Sequence, residues 1–255
     1  MTDKEQYLQE MPKVLEEWKR KADIYKQMDN QRANIFISDG IAHPEKWFEQ
    51  KIRPLFVLKE AYDKSSNPKD WDEVKWFLTT KEESGEASGN KSGKISGKTW
   101  QTLCKWSSYL FENNYDIDPI WENENLRQIA LINIKKYGGY EKSQDKDLRQ
   151  HAERHWELIY KQIELIKPTI IICGYTGWLL DIVWQKKFNL PIRKKKIDRE
   201  VYEIPRMKNV KLIDFWHPSA WSIKKNLADA FIENVRIAKK SSVNEDGNNE
   251  SKDDN

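Results

Sequence analysis

LFVLKEAYD, residues 55–63, runs four apolar residues straight into a polar, charged cluster. A continuous apolar run of this length reads as a strand buried on both faces. Three further runs repeat the pattern: IALINI at 129–134, TIIIC at 169–173 and VKLIDF at 210–215. Helical patterns lie between them, over 99–112, 145–166 and 177–187, and another follows over 220–239. Strands alternating with helices imply a mostly parallel sheet with right-handed crossovers. The expected fold is α/β, a three-layer sandwich whose central, mostly parallel four-stranded sheet is flanked by helices.

Upstream, Tyr7, Met11, Leu15, Trp18 and Ala22 are spaced by threes and fours and predict an amphipathic helix over 4–27. A second helix is expected to start after Pro44 and to end before Pro54. Residues 81–98, KEESGEASGNKSGKISGK, read as a mobile basic loop. The tail 241–255 is polar, lacks aromatics and is expected to be disordered. The chain thus divides into an N-terminal helical extension (1–38), one domain (39–240) and the tail.

Charged residues make up 33% of the 255, and no apolar stretch approaches the ~20 residues of a membrane span. The N-terminus has no apolar signal region, so a cytoplasmic protein with no membrane partner is expected. Cys104 and Cys173 are too few and too far apart for a disulfide framework or an iron–sulfur ligand set. His151 and His155 have an i,i+4 spacing that can hold zinc, but no third ligand is evident in the sequence. No metal and no cofactor are expected. GxSxG and P-loop patterns are absent, which counts against a serine hydrolase or a P-loop enzyme.

The net charge of +3 is unevenly spread. The last fifteen residues carry five acids and one base, so the body before them carries +7. A basic body suits a polyanion such as DNA. Most of the twelve tryptophans must be core anchors, with two or three left to face a ligand.

Ligands of open parallel sheets bind beyond the carboxyl ends of the strands, so the residues after each run matter most. Glu60 follows the first. Asn133 interrupts the second, with Lys135 and Lys136 after it. The turn 174–177, GYTG, follows the third, and His217-Pro218-Ser219 follows the fourth. A carboxylate can assist water attack or stabilise a cation. A carboxamide reads donor and acceptor edges together, and a histidine can stabilise a developing oxyanion.

This order of residues resembles the uracil-DNA glycosylase superfamily, over about residues 39–239. VLKEAYD (57–63) is similar to that family's first motif, LIN (131–133) to its second strand and HPSAWS (217–222) to its last motif. The resemblance implies a DNA glycosylase, acting as a monomer, that flips a uracil or modified base from single- or double-stranded DNA and hydrolyses its N-glycosidic bond. It makes Glu60 and His217 catalytic, with Asn133, Tyr62 and Trp100 on the base; Trp76 is the second candidate for the stacking ring. It puts Ser219, Trp221, Lys135 and Lys136 on the DNA, with Trp221 where the family wedges a leucine into the duplex. Three departures stand out: Ala61 replaces a proline, Trp221 is larger than leucine, and the 81–98 insertion interrupts the base-stacking region. The alternatives are action on modified bases of foreign DNA, a non-catalytic DNA- or nucleotide-binding module on the same fold, and an unrelated nucleotide binder using the turn 174–177.

Overall fold

A computed structural model describes residues 1–26, 35–62, 69–75, 95, 97–120, 123–139, 143–194, 196–223 and 227–246. The expected loop 81–98 falls outside these except at Ile95, 97 and 98. Ile95 is buried, and Lys98 starts a helix.

The chain is mixed α/β. Helix α1 (Asp3–Lys26) is followed by β1 (Ile37–Ser38), β2 (Gly40–Ile41) and the short α2 (Pro44–Trp47). The run LFVL lies in β3 (Pro54–Tyr62), after which β4 (Trp71–Asp72) pairs with β1 in a separate small sheet. Then come α3 (Lys98–Glu112), β5 (Ala130–Gly139), α4 (Asp145–Arg154), α5 (Trp156–Ile166), β6 (Ile170–Gly174) and α6 (Gly177–Phe188). The edge strands β7 (Lys196–Asp198) and β8 (Val201–Glu203) precede β9 (Lys211–Phe215), a 3-10 segment Pro218–Ile223 and α7 (Leu227–Asp246).

The expected sheet of four strands is the middle of a larger one. The order is β2-β5-β3-β6-β9-β8-β7, seven strands, of which β5, β3, β6 and β9 are mutually parallel. β2, β8 and β7 join antiparallel at the two edges. They escape the sequence reading because they are only two or three residues long and carry no apolar run. The single helix expected over 145–166 is two, broken at His155. Helix α7 continues to Asp246, past the expected start of a disordered tail; residues 247–255 lie outside those described.

Side-chain alternation along the parallel strands feeds two cores. Leu55, Val57, Ile132, Ile134, Ile171 and Cys173 face one way, against α1, α4, α5 and α6. Phe56, Leu58, Leu131, Ile172 and Ile213 face the other, against α3 and α7. Tyr7, Met11, Val14 and Trp18 are buried in the first core, so α1 is built into the domain rather than appended to it.

The crossover after β3 uses α3 on one face, whereas the crossover after β6 uses α6 on the other. Helices leaving neighbouring strands to opposite faces open a crevice at the carboxyl ends of β3 and β6. The second core closes beneath it through Trp106 of α3. Its ring stacks on Phe231 of α7 at 4.5 Å between centroids and meets Phe215 of β9 edge-on at 5.7 Å. Trp106→Ala should cost about 3–5 kcal/mol, read from the midpoint of a denaturant titration. A loss below about 1 kcal/mol would show that this aromatic cluster does not tie α3 and α7 to the sheet.

Candidate functional site

Gly174 ends β6 at the point of closest approach. A Cβ built there would lie 2.8 Å from Leu58 Cδ2, 3.0 Å from Pro218 Cδ and 3.6 Å from His217 Cδ2. Only a residue without a side chain lets β3 and the turn after β9 converge over this strand end. His217 is thereby held at the crevice, partly buried. Its Nδ1 accepts the backbone N–H of Ser219 at 3.2 Å and lies 2.7 Å from the Ser219 hydroxyl. A nitrogen that accepts a backbone N–H carries no proton, so the neutral ring keeps its proton on Nε2. Burial, reinforced by the charge of Lys59, pushes His217 down to about 4. The ring is therefore a neutral hydrogen-bond donor at ordinary pH.

Helix α3 ties this turn to the rest of the edge. The Thr102 hydroxyl donates to the Pro218 carbonyl at 3.0 Å. Two residues earlier, Trp100 packs on Val74 and Ala42, partly buried. The residue before Val74 is Glu73, buried, which accepts from the Asn133 amide at 2.5 Å. A chain of contacts thus runs from the His217 turn through α3 and Trp100 to Val74, Glu73 and Asn133.

The amide itself is already engaged. Asn133 is buried, and its backbone N–H donates to Asp39 Oδ2 at 2.7 Å. Its Nδ2 points at Glu73 and, at 3.5 Å, at Asp39. Asp39 sits between β1 and β2, where its carboxylate replaces a strand partner for β5. It also accepts from Gln162 at 2.7 Å and pairs with Lys136. Lys136 is fully buried beneath Trp18, whose ring lies 4.8 Å away. Burial pushes Asp39 up and Lys136 down, against their mutual attraction. Burial and then the neighbouring Asp39 push Glu73 up to about 7.

Glu60 has a side chain only 3% exposed and lies 3.0 Å from Lys135 Nζ. Lys135 also meets Asp147 of α4 at 2.6 Å. Burial alone would lower Lys135, but Glu60 and Asp147 together carry it above its ordinary value. Lys135 and Lys136, expected to face DNA, are thus buried partners of acids. Their charge is spent inside the protein, because a buried lysine is tolerated only when paired. Ser219 is exposed and spends its N–H on His217. Tyr62 ends β3 and Trp221 lies in the Pro218–Ile223 segment. The side chains of Tyr62 and Trp221, and all of Trp76, are outside the described residues.

Several residues of the edge were missed from sequence. Lys59 faces the crevice, its Nζ 4.5 Å from the Tyr175 ring centroid and 4.0 Å from Asp145. Asp39 carried a faint signal, as an acid within the apolar stretch IFISDGI; Glu73 carried none. His151 and His155 are buried ring neighbours, 5.8 Å apart, with His151 Nε2 3.4 Å from Asp147. Among the described residues no group of three or more His, Cys, Asp or Glu gathers as a metal site, and no helix is long and apolar enough to cross a membrane. Neither the known family models nor the curated proteins contain a match to this chain.

Glu73 gives the site a testable electrostatic signature. In the folded state it keeps its proton to about pH 7, whereas the unfolded chain releases it near the ordinary carboxylate value. Its contribution to stability is therefore full at low pH and is lost as pH rises through 7. Glu73→Gln should remove that loss. The stability of the variant relative to wild type should rise between pH 4.5 and 7.5 by on the order of 1–3 kcal/mol, measured by denaturant melts. A difference that does not change with pH would contradict the buried, proton-holding carboxylate.

Proposed function

We propose that the chain is a DNA glycosylase of the uracil-DNA glycosylase type, acting on a base flipped into the crevice at the carboxyl ends of β5, β3, β6 and β9. The observation that carries this reading is His217, a neutral Nε2–H donor fixed beside a strand end that also bears a charged carboxylate group.

Breaking the bond between C1′ of the sugar and the base nitrogen sends its electron pair to the base and leaves a sugar cation. Nε2–H of His217 donates to the base oxygen on which negative charge grows. A preorganised donor in a water-poor site stabilises that charge without having to reorient. Glu60, Lys135 and Asp147 together carry one net negative charge when ionised, which leaves the cluster able to stabilise the cation. Water then adds to C1′ and its proton leaves to solvent. Asn133 has its Nδ2 turned to Glu73 and Asp39, which leaves Oδ1 to accept an N–H from the base edge. Trp100 lines the same edge, and Trp221 keeps its place as the wedge. The protein is read as a cytoplasmic monomer whose partner is DNA.

One observation favours a second reading, a non-catalytic DNA- or nucleotide-binding module: the Glu60 carboxylate is enclosed and ion-paired rather than open to water. A cleavage screen separates the two. Single- and double-stranded oligonucleotides carrying uracil, hypoxanthine, xanthine or modified cytosines are incubated with the full chain, and abasic sites are revealed by alkali. At least one base should be released. His217→Ala and Glu60→Gln should slow its release by roughly 10²–10⁴-fold while DNA binding persists. DNA binding with no base released by the wild type would establish the module, and variants cutting at the wild-type rate would overturn the assignment of both residues.

A further inference from the structure

The α4–α6 side of the same sheet edge holds a cavity of about 570 Å³ that the excision chemistry does not use. Lys146, Arg149, Tyr175, Trp178, Arg193 and Asp214 form most of its wall. Tyr175 on its wall is what links it to the His217 crevice. Lys59 lies over the Tyr175 ring and its charge acts on His217.

Tyr175 is the unusual member. Its φ of +60° is the left-handed region that a bulky residue adopts only at a cost. The backbone is locked there by its N–H donating to the Phe215 carbonyl at 2.7 Å. Yet the residue is 44% exposed, so core packing does not offset that cost. The conformation serves to present an aromatic face at the cavity, beside partly buried Trp178.

The charges divide cleanly. Arg193 is committed to Asp181 at 2.5 Å and Asp214 at 3.5 Å. Asp145 faces Lys59 at 4.0 Å. Among the described residues, Lys146 and Arg149, three residues apart on one face of α4, remain for a ligand. Among the described residues Arg149 has a single 3.9 Å contact, with Glu153 at the surface, 60% and 44% exposed, which is worth little.

We propose that this cavity binds the nucleotide next to the target in the DNA strand, with its base on Tyr175 and Trp178 and its phosphate on Lys146 and Arg149. The identification of the strand as DNA rests on the glycosylase reading. An aromatic platform next to exposed cations is the common design for holding an unpaired strand.

The test is equilibrium binding of fluorescently labelled single-stranded DNA to the full chain at fixed salt, read by anisotropy. Tyr175→Gly removes the ring and also relaxes the left-handed backbone, so its effect is not a folding defect. It should weaken binding roughly 5- to 150-fold, the loss of one stacked base, whereas Tyr175→Phe should bind like wild type. Lys146→Ala with Arg149→Ala should weaken binding more than Lys13→Ala with Lys161→Ala, which removes the same charge from the α1–α5 surface. Wild-type affinity in Tyr175→Gly, equal losses in the two double variants, or no DNA binding by the wild type would each overturn the proposal. The readout does not need base release. Binding that behaves as expected without excision would sink the glycosylase reading alone, and excision with Tyr175→Gly unaffected would sink the cavity alone.

Discussion

Gly174 has no side chain, and the arrangement of the sheet edge depends on that. Leu58 from β3 and Pro218 from the turn after β9 close over it at distances a methyl group would not permit. The turn is then pinned from above by the Thr102 hydroxyl, and its geometry aims the Ser219 N–H at His217. Ring orientation, tautomer and low proton affinity of His217 follow from this close approach. A bulkier residue at 174 would lift the turn and expose the ring to water.

The second constraint is buried charge. Two groups of acids and lysines lie on either side of β5. Asp39, Glu73 and Lys136 sit with Asn133 and Gln162 in one; Glu60, Asp147 and Lys135 make up the other. Neither lysine balances its acids completely when all are ionised. The Glu60 group therefore leaves negative charge close to the crevice, in surroundings of low polarity where it acts strongly, and the Glu73 group gains its own only as Glu73 ionises near pH 7. An apolar edge of the same shape would be cheaper to fold.

The four apolar runs were enough to place the central strands, because a parallel strand buried on both faces leaves a continuous apolar signature. The antiparallel edges were illegible because KID and VYE are only three residues long, and the break at His155 leaves the helical periodicity intact on both sides. Asn133 could be singled out as the polar interruption of an apolar run and His217 as a polar residue just after one. The misreading of Lys135 and Lys136 has a physical origin. A lysine is assigned to the surface by default, and the acids that bury these two are Glu60, Asp147 and Asp39, up to 97 residues away in the chain. Glu73 and Lys59 became part of the site only through tertiary placement.

The claim that the fold builds a neutral donor at this edge is tested most directly by nitrogen NMR of the histidine rings. The chain has four histidines, and removing each in turn assigns its signals. His217 is expected to show a bare Nδ1 and a protonated Nε2, and to stay neutral on acidification until about pH 4. Titration near 6.5, the ordinary value of an exposed imidazole, or a proton on Nδ1, would contradict it.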